Sequence, residues 1–253
     1  MAKQQSLKKV KIVPAKAKKS KLKPQSSISD WIGLRYEITR RLQGHVHALL
    51  GGQSQAFDRY EKEYKKEIHR SWKASDRNQL LTQVEKSSIV FMGDFHALKQ
   101  SQKAHLRILK SLPDLNFDFD KLILCIECIE QRFQHVLDQY LMGNLSDRDF
   151  LKSVEWKRNW GFAWDHYRPL FRWAQKNKIK IFALNSRTSD SSAKSLHQRD
   201  RLAAEVVHQV CKKNLDHKIF VIYGDLHIAN KHLPAILFRK NASLKKKSLQ
   251  IFQ

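Results

Sequence analysis

Two apolar runs in this chain end in the same polar signature. SIVFMGDFH (88–96) and KIFVIYGDLH (218–227) each carry β-branched and aromatic residues into Gly-Asp-x-His. A run of this kind, stopped by glycine, reads as a buried strand after which the backbone turns sharply. In a parallel sheet the loops beyond the carboxyl ends of the strands form the crevice where ligands bind. The repeat therefore sends Asp94, His96, Asp225 and His227 to one edge of one sheet. Two imidazoles and two carboxylates there suit a metal ion, a haem or acid–base chemistry.

The rest of the second half alternates in the same manner. Further strands are expected at 121–127 (KLILCIE), 179–185 (IKIFALN) and 248–253 (SLQIFQ), with amphipathic helices between them. After the second strand, Ile129, Phe133, Val136, Leu137, Tyr140 and Leu141 fall at helical spacing, with Gly143 as a stop. Strands separated by helices imply crossovers, hence an α/β fold with a mostly parallel central sheet flanked by helices on both faces. Residues 28–87 read as a helical N-terminal extension and 88–253 as the α/β domain. Every strand that can be followed ends on a polar group: Asp94 and His96, Glu127, then Asn185-Ser186-Arg187, then Asp225 and His227.

Charge and cysteine usage narrow the partners. The net charge is +24, and residues 1–27 hold nine lysines and no acid. Such a tail is expected to be disordered and solvated, with weak, non-specific affinity for nucleic acid or an anionic surface. Phosphate contacts of that kind carry no base information. No apolar run reaches the roughly 18 residues of a membrane span. The N-terminus has neither a secretory signal nor an early lipidation cysteine, so the expectation is a cytoplasmic protein. Cys125, Cys128 and Cys211 are too few for a disulfide framework and read as buried thiols.

From 88 to 239 the chain resembles the ChaN domain, the haem-binding member of the Tiki superfamily. The resemblance rests on VFMGDFHALKQSQKAHL, LCIECIEQRFQHVLDQYLMGNLSDRDFL, WKRNWGFAWDHYRPLFRWA, IKIFALN, RDRLAAEVV and YGDLHIANKHLP taken in that order. Asp94 stands where the family usually has Glu. The resemblance implies a haem or iron-containing ligand in the crevice, and a homodimer. It implies as an alternative a metal-dependent hydrolase, because the wider superfamily includes Tiki-type proteases and erythromycin-esterase-like enzymes.

On the first reading His96, His227 and Glu127 line the crevice, Arg187 and Arg199 anchor ligand carboxylates through their planar forks, and Tyr167 is a candidate iron ligand. On the second, a divalent metal sits on His96 and His227 with Asp94 and Asp225, and Glu127 is the general base. Glu127 ends an otherwise apolar strand and is expected to meet water and ligand, the plainer alternative being a salt bridge to Arg187 or another basic residue. Trp156, Trp160 and Trp164 are spaced to share one helical face, as core or as a wall for a flat ligand. Neither HExxH nor GxSxG occurs.

Overall fold

The computed structural model of the chain describes residues 28–50, 55–68, 75–115, 117–186 and 193–252; the lysine-rich tail lies outside them. The chain divides into two units, residues 1–53 and 54–253. The first contributes a single described helix, α1 (Ile28–Leu50).

The second unit opens with α2 (Gln55–Ile68) and α3 (Arg77–Lys86) and then builds the sheet. In chain order it runs β1 (Ile89–Asp94), α4 (Lys99–Lys110), β2 (Leu122–Glu130), α5 (Gln134–Leu141), α6 (Asp147–Ser153), α7 (Trp156–Asn159), α8 (Trp164–Lys176), β3 (Lys180–Asn185), α9 (Ala193–Lys213), β4 (Lys218–Gly224), α10 (Leu233–Lys240) and β5 (Ser248–Ile251), with short 3-10 turns between. The strand order is β3-β2-β4-β1-β5, and every described pairing is parallel. β4 enters between β1 and β2, so the two Gly-Asp-x-His segments become neighbours, with Gly93 opposite Tyr223 and Asp94 opposite Gly224.

Alternation along the strands feeds two cores. Val90, Met92, Leu124, Ile126, Phe220 and Ile222 pack on one face with Leu109 of α4, Leu137 of α5 and Phe171 of α8. Ile89, Phe91, Ile123, Cys125, Ile219 and Val221 pack on the other with Ala203 and Val207 of α9 and Leu237 of α10. Covering both faces explains why the strands read as continuous apolar runs. Cys125, Cys128 and Cys211 are free and buried, and burial pushes each thiol up.

Three local expectations are corrected. β2 runs on to Glu130, because Cys128 and Ile129 are buried and continue the apolar strand. Its ladder with β4 stops at Ile126, and its register with β3 shifts between Ile126 and Glu130. Glu127 is therefore the first residue past the β4 ladder, inside the strand rather than at its tip. The helix expected from Ile129 accordingly begins only at Gln134, after a 3-10 turn, and does end ahead of Gly143 at φ +84. Trp156, Trp160 and Trp164 do not share one helix: α7 is a single turn, and Gly161 at φ +81 redirects the chain before α8 begins at Trp164.

Lys218 opens β4 from beneath the end of α3. Its ammonium donates to the carbonyls of Val84 (2.7 Å), Glu85 (3.0 Å) and Ser87. These lie at the helix C-terminus, where carbonyls lack intrahelical partners, so a charged donor supplements the backbone cap that the Ser87 N–H makes to Val84 at 3.2 Å.

Candidate functional site

Gly224, the last residue of β4, marks where the polar strand ends meet. A Cβ placed on it would lie 3.3 Å from Glu127 Oε2, from His96 Nε2 and from His227 Cδ2. The three side chains expected to line the crevice thus converge on one backbone atom that carries no side chain.

His96 is fixed from behind. Its Nδ1 lies 2.9 Å from Asp94 Oδ2, and its Nε2 lies 3.6 Å from Glu127 Oε2. Asp94 is held in turn by three further side chains. Ser101 Oγ donates to it at 3.1 Å, Gln102 Nε2 donates to the same oxygen, and the Tyr167 hydroxyl reaches Oδ2 at 3.3 Å. The Asp94 backbone follows Gly93, whose carbonyl accepts from His105 Nε2 at 2.7 Å. Burial alone would lower the His96 pKa, but the hydrogen bond to Asp94 and the charges of Glu127 and Asp94 outweigh it and raise the value. Burial likewise opposes ionisation of Asp94, yet its bond to His96 and the nearby imidazoles hold the carboxyl below its ordinary value. Burial lowers His105.

His227 repeats the arrangement with a partner from another element. Its Nδ1 lies 2.6 Å from Oδ1 of Asp200, a fully buried carboxylate on α9. A carboxylate behind Nδ1 fixes the tautomer and leaves Nε2 as the basic, ligating nitrogen. Nothing in the pattern singled out Asp200, but a charged residue on the same helical face as Ala203, Ala204 and Val207 was the available signal.

Glu127 joins both halves. Oε2 accepts from the Gly224 backbone N–H at 2.6 Å, and Oε1 accepts from the Arg199 guanidinium. The Glu127 side chain is 3% exposed and that of Arg199 20%. The salt bridge is therefore formed with Arg199, and the carboxylate is a buried structural partner as well as a neighbour of His96. Arg199 reaches Glu127 through Nη2, and its Nε makes no hydrogen bond among the described residues. Arg187 lies outside the described residues.

Tyr167 is buried, and its hydroxyl serves Asp94 and the His96 carbonyl at 3.4 Å. Burial and the Asp94 charge push its pKa far up, which opposes the phenolate that iron ligation requires. Asp225 reaches other elements: Oδ2 accepts from the Tyr64 hydroxyl of α2, and Oδ1 occupies the space a Gly93 side chain would need. Among the described residues no group of three or more His, Cys, Asp or Glu side chains is arranged to hold a metal ion. Asp94 is turned to His96, and Asp225 to Tyr64.

Two aromatic residues complete the His96 surroundings. Trp160 lies edge-on to the imidazole with ring centroids 4.5 Å apart, and Phe162 is tilted at 5.2 Å. Both are only partly buried, and Phe95 and Leu98, which flank His96 in the chain, are exposed.

Residues 80–195 match the family described as haem-binding uptake, Tiki superfamily, ChaN. The ChaN-like resemblance is thereby shown over that stretch, which contains Asp94, His96, Glu127 and Tyr167 and stops before Arg199, Asp200 and His227. Solved structures give distant likenesses. One, on cofacial heme binding to ChaN of Campylobacter jejuni, is 14% identical with a TM-score of 0.48, covering 70% of this chain and 86% of that one. The type III effector HopBA1 is 13% identical with a TM-score of 0.44, covering 59% of this chain and 72% of that one. The C-terminal region of Pasteurella multocida toxin, described with a thiol-protease like catalytic triad, is 15% identical with a TM-score of 0.42; the match covers 61% of this chain and 21% of that one. No curated protein matches. No helix among the described residues is long and apolar enough to cross a membrane.

Proposed function

We propose that this protein binds haem, or a comparable iron-containing ligand, at the carboxyl ends of β1 and β4. The observation that carries the reading is the pair of histidine–carboxylate dyads, His96–Asp94 and His227–Asp200, meeting around Gly224. An imidazole held through Nδ1 by a carboxylate is a strong neutral donor at Nε2, the arrangement an axial iron ligand needs. Trp160 and Phe162 supply apolar ring surface beside His96, which a flat macrocycle requires and a hydrated divalent ion does not. The family match over 80–195 supports the same ligand class.

The donors fit haem on these grounds. His96 is the first candidate ligand and His227 the second, with Asp94 and Asp200 setting their orientation. Haem would supply an iron centre to which the imidazole nitrogen coordinates. Metal-dependent hydrolysis has weaker support, because Glu127 is engaged with Arg199 and Gly224 and the dyad carboxylates are turned to the imidazoles.

Hemin titration of the purified chain tests the proposal. A shifted Soret band that is weakened in both His96→Ala and His227→Ala is expected. An unshifted band at micromolar hemin, or a shift indifferent to both substitutions, overturns it.

A further inference from the structure

The first unit carries a surface of a different kind. Along α1, Trp31 (59% exposed), Leu34 (46%), Ile38 (49%) and Leu42 (58%) stand in solvent. Their spacing at i, i+3, i+7 and i+11 places all four on one stripe of a helix with 3.6 residues per turn. Arg35 and Arg41 border the stripe, one on each side, and both are exposed, while Arg40 lies on the opposite face. Glu37 is paired with Arg41. Ahead of the helix come the nine lysines of residues 1–27, without one acid.

We infer that α1 is a docking surface for an anionic phospholipid bilayer, lying in the interface with the Trp31–Leu42 stripe buried among acyl chains. An interfacial helix needs an apolar stripe, basic residues at its borders whose stems follow the apolar side while the heads reach phosphates, and a further positive charge to hold it on an anionic leaflet. All three occur here in one stretch of sequence. Nucleic acid would satisfy the lysines and arginines but offers no hydrocarbon for Leu34, Ile38 and Leu42. A second copy of the helix fits less well. A coiled-coil seam through Trp31, Leu34 and Ile38 continues at Arg41 and His45 rather than at Leu42, so it places charge where the seam must be apolar.

The test uses the full chain and sedimented vesicles of equimolar phosphatidylglycerol and phosphatidylcholine, or of phosphatidylcholine alone. The inference expects binding to the anionic vesicles, little to the neutral ones, and a loss of about tenfold or more in the double variant Ile38→Gln/Leu42→Gln, which deletes two large apolar anchors without changing the charge. Equal anionic binding by the double variant would mean that charge alone drives adsorption and would overturn the inference. So would self-association of the parent, measured without vesicles, that disappears in the variant. So would binding to a nucleic-acid duplex that is tighter than vesicle binding and lost in the variant. Hemin titration of the same variant should be unchanged, so failure here is separable from failure of the haem reading.

Discussion

His227 and Asp200 lie 2.6 Å apart, nitrogen to oxygen, and the carboxylate that holds the imidazole has no exposed surface at all. Placing a carboxyl group so deep is tolerable only when its partner is fixed beside it. Asp200→Asn keeps shape but exchanges a charged acceptor for a neutral amide. The imidazole at position 227 then loses its strong Nδ1 acceptor. Hemin affinity is expected to fall by about 10- to 100-fold, the usual effect of removing a carboxylate behind a metal-binding histidine. Equal affinity in parent and variant would contradict the role given to this pair.

Asp94 and His96 make stability depend on pH in a defined direction. The His96 pKa is raised above its ordinary 6.5, so its share of stability is complete below that value and is lost as pH climbs through the raised one. The Asp94 pKa is lowered from 3.8, so its share is present above 3.8 and is lost as pH falls through the depressed value. The pair is strongest between those limits. Thermal melts from mildly acidic to alkaline pH should show a decline on the alkaline side in the parent that is absent from Asp94→Asn.

Glu127→Gln removes the charge opposite Arg199 while keeping an oxygen for the Gly224 N–H. Breaking a buried pair from one side costs roughly 3–5 kcal/mol. The partial exposure of the Arg199 side chain puts the expected loss near the lower end, about 3 kcal/mol, a drop of several degrees in Tm. An unchanged melt would show that water relieves the guanidinium.

The two glycines at the strand ends should respond differently. An added Cβ at Gly93 would fall 1.5 Å from Asp225 Oδ1, so Gly93→Ala must push the second Gly-Asp-x-His turn aside and destabilise the fold by about 1–3 kcal/mol. At Gly224 the nearest atoms, all at 3.3 Å, belong to the site itself. Gly224→Ala should leave the melt close to that of the parent and weaken hemin binding. A severe loss of stability at Gly224 and none at Gly93 would reverse this assignment.

Lys218→Met retains the stem and deletes the ammonium that serves three carbonyls at the end of α3. Leaving buried acceptors unmade costs about 1–3 kcal/mol. Hydrogen exchange should accelerate at the C-terminal turn of α3 first, and hemin binding should persist. A melt equal to the parent would show that the Ser87 N–H and water suffice to cap the helix.

The parallel sheet, the approximate strand positions and the meeting of His96, Glu127 and His227 were legible in the sequence, because buried parallel strands are continuous apolar runs and their polar ends stand out. What was missed depended on contacts remote in the chain. Asp200 and the pairing of Arg199 with Glu127 depend on α9, because only the approach of that helix to β4 and β2 turns these side chains toward His227 and Glu127; Arg199 itself stood out in the sequence, but its partner did not. Ser101 and Gln102 looked unremarkable on α4 until that helix was seen to lean over Asp94. The three tryptophans misled because periodicity assumes an unbroken helix, and one glycine at positive φ was enough to break it.

The insertion of β4 between β1 and β2 also sets the order in which the molecule can come into being. As a ribosome releases the chain, β1 emerges with its histidine exposed and β2 with an acidic residue that has nothing to hold. Neither the lane between these strands nor the cleft at their ends exists until β4 has been synthesised and threads into place. Any product truncated before β4, even one retaining the whole of 80–195, would display two unjoined apolar strand flanks and half a binding cleft. Nascent chains of this protein therefore depend on late, long-range closure, and they are exposed to aggregation or to chaperones for nearly the whole of their synthesis.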